Sequence, residues 1–143
     1  MAPLRTYDLA RVNLVIGTFA ISGFGDGDAI VIEPVEAAGE VTHGADGDAT
    51  FSRSNVKTHT VTISLMATSK AYKDLMGLYD VQRLEAPIAE LPFLMQDEIT
   101  GDLVRSRYFV FTDVPSITKA KTVSGVEIKG FINRPTIVYG ANL

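Results

Sequence analysis

The stretch from Ile21 to Met66 constrains this chain more than any other, because two strand-like runs there enclose a long segment with no helical period. Ile21-Ser-Gly-Phe-Gly-Asp-Gly-Asp28 is a turn signal rich in residues that tolerate positive φ, and it leads into the β-branched run Ala29-Ile-Val-Ile-Glu33. On the far side Gly44-Ala-Asp-Gly-Asp-Ala49 is a second Asp-Gly turn, followed by Thr50-Phe-Ser-Arg-Ser54 and His59-Thr-Val-Thr-Ile-Ser-Leu-Met66. In the last run Val61, Ile63 and Leu65 alternate with Thr60, Thr62 and Ser64, which predicts a strand with one apolar and one hydroxyl-bearing face. The intervening Pro34-Val-Glu-Ala-Ala-Gly-Glu-Val-Thr-His43 is too apolar for a solvated linker and reads as an extended hairpin arm with Ala37-Ala-Gly39 at its tip. From Gly25 to Asp48 the acids are Asp26, Asp28, Glu33, Glu36, Glu40, Asp46 and Asp48, with no Lys or Arg among them, so the arm is locally anionic.

The rest of the chain reads as a frame for that segment. Arg11-Val-Asn-Leu-Val-Ile16 places Val12, Leu14 and Ile16 on one face, and the Gly17-Thr18 step turns it into Phe19-Ala-Ile21, a short hairpin. The period then changes. Thr68-Ser-Lys opens on a hydroxyl N-cap, and Ala71, Tyr72, Leu75, Leu78, Tyr79 and Gln82 follow at three-and-four spacing, which predicts a helix over about residues 69–83. Gly77 weakens that helix by up to about 1 kcal/mol relative to Ala, so packing on a sheet must supply its stability. Residues 85–91 read as a connection, limited by Pro87. Pro92-Phe-Leu-Met-Gln96 is a short strand, and Asp97 to Asp102 a turn. Leu103 to Phe111 reads as one strand with both faces partly apolar, hence central or covered twice. Ser116 to Thr122 reads as extended, Val126 to Ile132 as a strand with Glu127 and Lys129 outward, and Thr136 to Tyr139 as a last extended piece. Mostly antiparallel β structure with one helix, in a single domain spanning residues 1–143, points to a sandwich or barrel.

Composition narrows the function classes. A chain of 143 residues can bury one sizeable core without staples, and the absence of Cys removes disulfides, thiol nucleophiles and thiolate metal sites. A net charge of -4 argues against the positive field on which non-specific nucleic-acid binding depends. The N-terminal residues lack a basic region leading into an apolar one, and no apolar run approaches the roughly 20 residues of a membrane span. The expectation is a chain made in the cytoplasm and not inserted in a membrane. A hydrophobic fraction of 46% is high for a β-rich domain of this size and implies apolar surface reserved for partners.

Catalytic and metal signatures fail on spacing. The pairs Asp26/Asp28 and Asp46/Asp48 suggest calcium, but counting from Asp46 puts Phe51 where an EF-hand needs glycine and Lys57 where it needs glutamate. His43 and His59 are the only histidines, and nothing in their spacing assembles a zinc site or a general base; both read as surface or interface imidazoles. There is no Gly-x-Ser-x-Gly elbow, no phosphate loop and no dinucleotide fingerprint. The reading is no enzyme, no cofactor and no metal. Two other classes stay open on the residues alone: a monomeric β-barrel carrier of a small apolar ligand with the arm as a lid, and, against the missing motifs, a secreted hydrolase.

Four blocks in fixed order carry a resemblance: Ile21-Ser-Gly-Phe-Gly-Asp-Gly-Asp-Ala-Ile30, Gly44-Ala-Asp-Gly-Asp48, Arg53-Ser-Asn55 and Thr60-Val-Thr-Ile-Ser-Leu-Met-Ala-Thr-Ser69. Over about a third of the chain they resemble the tail tube protein of contractile-tailed bacteriophages, which is similar in fold to the tube subunits of type VI secretion systems and R-type pyocins. The resemblance implies an antiparallel β-sandwich or half-barrel with one flanking helix and a long hairpin arm. It also implies six-membered rings of the chain stacked into a tube in the virion tail, with sheath, baseplate and tail-terminator proteins as partners. Tape-measure protein and viral DNA would occupy the lumen without sequence-specific binding. Mapped onto this sequence, the inter-ring arm would be Glu33 to Ser54, with Glu33, Pro34, Val35, Glu36, Glu40, Val41, Thr42, His43, Asp46, Asp48 and Arg53 as contact candidates. Thr60, Thr62 and Ser64 would face the channel.

Overall fold

A computed structural model describes residues 9–24, 29–84, 90–113 and 125–140. After one 3₁₀ turn, Leu9–Arg11, come β1 (Val12–Ile16), β2 (Phe19–Ile21), β3 (Ile30–Pro34), β4 (Gly39–His43), β5 (Ala49–Arg53) and β6 (Thr58–Met66). Then follow α1 (Lys70–Leu84), β7 (Phe93–Asp97), β8 (Leu103–Ser106), β9 (Phe109–Asp113), β10 (Gly125–Asn133) and β11 (Thr136–Val138). The fold is mainly antiparallel β with one helix. The first Asp-Gly turn and the run Ser116 to Thr122 lie outside the described residues.

The strands form a five-stranded sheet in the order β11-β8-β7-β1-β2, a four-stranded sheet in the order β3-β6-β10-β9, and a separate pair, β4-β5. The two larger sheets turn their alternate apolar residues toward each other. Leu14, Ile16, Phe93 and Val104 of the first meet Val61, Ile63, Leu65, Phe109, Phe111, Ile128 and Ile132 of the second in one buried cluster. Full burial of each such side chain is worth about 1.5–3 kcal/mol, so this cluster dominates stability. Its centre is aromatic. Phe93 stacks on Phe109 with centroids 5.9 Å apart, Phe109 meets Phe111 edge-on at 4.9 Å, and Tyr79 of α1 meets Phe111 edge-on at 5.7 Å.

The helix is fixed at both ends. At its start the Ala71 N–H donates to Ser69 Oγ at 3.2 Å, while that hydroxyl donates to the Ser22 carbonyl at 2.8 Å, so Ser69 is the cap. Ala71, Leu75 and Gln82 form the buried stripe, with Tyr72, Leu78 and Tyr79 packed beside it. Near its end the amide of Gln82 acts as a piece of strand. Its Nε2 donates to the Phe109 carbonyl at 2.8 Å, and its Oε1 accepts from the Phe111 N–H at 2.9 Å. The Phe109 N–H donates to the Leu91 carbonyl at 2.8 Å, so the outer edge of β9 is satisfied from Phe109 to the Phe111 N–H.

The single strand expected over Leu103 to Phe111 is two strands in different sheets, joined at Arg107-Tyr108. Parity explains the break. Val104 and Ser106 are buried in β8 whereas Phe109 and Phe111 are buried in β9, and an unbroken strand would place these even and odd positions on opposite faces. Ser106 holds the crossing, with its Oγ within 3.3 Å of the Tyr108 carbonyl and 3.2 Å of the Asn133 carbonyl. The first piece, β8, is central in its sheet with Arg105 exposed on one face, whereas β9 is an edge strand.

The expected Asp97 to Asp102 turn joins β7 to β8, and its first residue is nearly buried. Desolvation pushes the Asp97 carboxyl up, but the N–H groups of Thr100 and Ile99 and the Thr100 hydroxyl outweigh it and hold the pKa below the ordinary carboxylate value. A depressed folded pKa gives stability that is complete above the unfolded value of about 4 and is lost as pH falls through the folded one. Urea unfolding of Asp97→Asn should therefore differ most from wild type at neutral pH, and the gap should close on acidification below about pH 4. Gln82→Leu leaves two buried backbone groups without partners and should cost on the order of 2–4 kcal/mol by the same measurement. Gly77 is exposed in α1 with nothing within 4 Å of an added Cβ, so Gly77→Ala should gain about 0.5–1 kcal/mol.

Candidate functional site

The segment between β3 and β6 leaves the body of the protein as a two-stranded hairpin, because no residue in it is placed to reach the core. β4 and β5 pair from Gly39–Arg53 to His43–Ala49 and are closed by the turn at Gly44 to Asp48. In that turn the Gly44 N–H donates to the Asp48 carbonyl at 2.7 Å, Gly47 takes φ 91°, and the Asp48 N–H donates to Asp46 Oδ1 at 3.2 Å. Asp46 thus shapes the tip. The tip expected at Ala37-Ala-Gly39 is instead the root, since Asp46-Gly47 offers the tighter turn and fixes the register around itself.

The root is a joint. Between the pairs Pro34–His59 and Gly39–Arg53 the outgoing chain uses four residues, 35–38, and the returning chain five, 54–58. One extra residue on one side is the count of a β-bulge, which bends and twists a strand pair. Hydrogen bonds hold it: Val35 N–H to the Thr58 carbonyl at 3.0 Å, Ser54 N–H to the Ala38 carbonyl at 2.8 Å, Val56 N–H to Ser54 Oγ at 3.2 Å, and Ser54 Oγ to the Glu36 carboxylate.

Beyond the joint the arm has two unlike faces. By register, Gly39, Val41, His43, Ala49, Phe51 and Arg53 share one, and Glu40, Thr42, Thr50 and Ser52 share the other. Val41 is 53% exposed and Phe51 56%, so a contiguous apolar strip stands in solvent, with Val35 and Val56 also exposed at the root. An isolated two-stranded hairpin is marginal in water, and this one buries no apolar face against the body. Phe51, Ala49 and Gly39 are not among the contact candidates taken from the sequence. The mirrored alternation about Asp46-Gly47 was the available signal. Pro34 ends β3 with Glu33, both exposed at the base of the arm.

Thr60, Thr62 and Ser64 lie on the outer side of the four-stranded sheet, opposite the buried Val61, Ile63 and Leu65. Their neighbours by register are Val31 and Glu33 on β3 and Glu127, Lys129 and Phe131 on β10, with Asp113 paired to Lys129. That face is rich in hydroxyls and carries more acid than base. The Thr60 hydroxyl lies 3.4 Å from the Glu33 carbonyl. His43 is exposed on the arm, whereas His59 is half-buried near the start of β6, between Pro34 and Ile132, with a buried Nδ1 that has no hydrogen-bond partner among the described residues. Among the described residues no group of three or more His, Asp or Glu side chains is placed to hold a metal ion.

The family described as Bacteriophage PhiTE tail tube protein matches this chain over residues 6–132. The chain belongs to that tail tube family. In fold it is similar to a chain of the sheath/tube terminator of an extracellular contractile injection system, PVC, in the extended state, at 10% identity and TM-score 0.67 over 96% of this chain and 99% of that one. It is also similar to the tube-terminating cap of the anti-feeding prophage, at 9% identity and TM-score 0.61 over 98% and 95%. A chain of the PVC sheath-tube complex in the extended state matches at 8% identity and TM-score 0.61 over 94% and 92%. At such identities the likeness establishes the fold alone. No curated protein matches the chain.

For this tail tube protein, the arm should be separable from the body. A Cβ on Gly39 would collide with the Phe51 ring and fall 2.6 Å from the Ser52 carbonyl oxygen. Gly39→Val should therefore abolish amide exchange protection across β4 and β5, while β6–β10 amides stay protected and global stability changes by no more than about 0.5 kcal/mol.

Proposed function

We propose that this tail tube family member is a structural subunit that assembles with copies of itself into rings and stacks the rings into a hollow tube, without catalysis. The observation that supports it most is the arm: a paired, turned and jointed hairpin that exposes Val41 and Phe51 instead of burying them. Such a face has a use only when another surface covers it. In this reading six copies close each ring, the arm from Glu33 to Ser54 contacts the adjoining ring, and the hydroxyl face of β6 lines the channel. A lumen that lets DNA slide must avoid the Lys and Arg contacts that hold phosphates, and the mix of Thr60, Thr62, Ser64, Glu33 and Glu127 around Lys129 meets that need.

The fold shared with terminator and sheath-tube chains of contractile injection systems supports placing the tube inside a contractile tail. Sheath, baseplate and tail-terminator proteins would be its partners outside, with tape-measure protein and genome within. The subunit would reside in the virion tail after synthesis in the host cytoplasm. A ligand-carrier function has less support. Phe93, Phe109 and the aliphatic cluster fill the space between the sheets. The cleft beside Ile30 and Ile137 holds about 260 Å³, just below the roughly 300–1,000 Å³ typical of ligand sites, and a larger one of about 590 Å³ opens on the outer face of the five-stranded sheet, not in the barrel interior a carrier would use.

Negative-stain microscopy of the purified chain tests the proposal. Wild type should give rings or tubes with a central hole. Removing residues 36–56 and joining β3 to β6 through a short glycine turn should leave a folded protein that forms no tubes. Long tubes from the shortened chain would refute the arm's role, single rings that never stack in wild type would indicate a terminator-like subunit, and a persistent monomer would refute self-assembly.

A further inference from the structure

The outer face of the five-stranded sheet carries a cleft of about 590 Å³ that the tube reading has not used. Register builds its floor: Val15 of β1, Leu94 of β7, Arg105 of β8 and Thr136 of β11 stand in one row across four strands. Val15 and Leu94 make the floor apolar, and Pro92 extends it. Three arginines, Arg105, Arg107 and Arg134, line the cleft with one acid, Glu90. Glu90 is taken, since it pairs with Arg107 at 2.7 Å. Arg105 and Arg134 make no ion pair among the described residues.

Arg134 is also unusual in its backbone. It is the one non-glycine residue with positive φ, 49°, among the described residues, and its N–H is tied to the Lys57 carbonyl at 2.8 Å. Strain of this kind persists where the surroundings impose it and tends to occur at functional positions. Two guanidinium groups without an acidic partner among the described residues, over an apolar floor, suit an acidic ligand with an apolar side.

The chain itself provides one. Residues 33–48 hold Glu33, Glu36, Glu40, Asp46 and Asp48 with no Lys or Arg, and the arm's other asset is its exposed Val41 and Phe51 strip. None of these residues lines the cleft of its own chain. We propose that the Arg105–Arg134 cleft is the receptor for the arm tip of a second copy, the acids of the Gly44 to Asp48 turn meeting the guanidinium groups while the apolar strip covers the floor. Two different patches make this a head-to-tail contact, which repeats without limit as a growing tube requires. The inference rests on the tube reading in taking the partner to be another copy. Charge complementarity gives the contact its orientation and its salt dependence.

The cysteine-free chain allows a direct test. Asp46→Cys and Arg105→Cys proteins, mixed and treated with a short bismaleimide, should give a cross-linked dimer at least tenfold more abundant than a control pairing Asp46→Cys with Lys73→Cys on α1. Separately, Arg105→Glu/Arg134→Glu should reduce assembly at least tenfold with the urea midpoint unchanged, and adding Asp46→Lys/Asp48→Lys in the same chain should restore it. Tubes that form without the cross-link, charge reversal without effect, or loss that the swap does not rescue would each overturn the inference and leave the tube reading intact. Reversed-charge tubes that grow normally but no longer bind sheath protein would assign the cleft to the sheath instead. A chain that never associates would overturn both.

Discussion

Phe109 is the residue on which the rest of this structure depends. Its ring lies against the backbone of Gly130, where an added Cβ would come within 2.5 Å of it, and stacks on Phe93 from the opposite sheet. Its N–H is held by Leu91 and its carbonyl by Gln82. One residue thus joins both sheets, the helix and the connection that precedes β7. The break between β8 and β9 follows from it, because only a change of parity lets Phe109 and Val104 both point inward. So does the position of α1, whose Gln82 must reach a strand edge and is buried in doing so. Burying an amide is tolerable only because both of its ends are paired.

The arm obeys the opposite rule. Everything in the body is organised to bury apolar area, yet from Val35 to Arg53 nearly every side chain stands in solvent. Its local order comes from turn chemistry at Asp46-Gly47, from the ladder between β4 and β5 and from the Ser54 hydroxyl at the joint. These fix shape at little gain in stability, and under the proposed docking such preorganisation would lower the ordering cost at the moment of contact. The bulge count at the root lets the arm take a twist different from that of β3 and β6 without disturbing the Val61, Ile63 and Leu65 row.

Much of this was legible in the sequence, and what was not has a common cause. Strict alternation in His59 to Met66 marked the buried and hydroxyl faces of β6, and three-and-four spacing marked α1. Leu103 to Phe111 misled because a two-residue crossing between sheets leaves no Gly, Pro or Asn to announce it; Arg107-Tyr108 reads as strand, and only the parity of Val104 against Phe109 could have shown the break. The location of the arm was readable from its lack of period; its faces depend on which turn closes it, and placing the tip at Ala37-Ala-Gly39 hid the alternation that is mirrored about Asp46-Gly47. The arginine cleft was invisible for a similar reason: Arg105, Arg107 and Arg134 come from two segments that only the β8–β11 pairing brings together.

The two outer strands of the four-stranded sheet, β3 and β9, are not equivalent among the described residues, and this bears on how the proposed ring would close. At β9, Gln82 and Leu91 occupy the backbone groups a neighbouring strand would need, from the Phe109 N–H to the Phe111 N–H. At β3, the bonds from Ser64 N–H to the Ala29 carbonyl and from Val35 N–H to the Thr58 carbonyl turn the odd-numbered peptide groups toward β6, leaving those of Ile30, Ile32 and Pro34 facing outward. Pro34 has no N–H to offer, so the open ladder is short and stops at the root of the arm. A continuous hydrogen-bonded ladder from one copy's β3 to the next copy's β9 is therefore ruled out along Phe109 to Phe111 unless the helix lets go. A ring built side to side from this sheet would have to join through side chains at that point, or through the last residues of β9. The same plug that closes β9 guards a lone subunit against sheet-to-sheet polymerisation, so that association is left to surfaces with a defined partner.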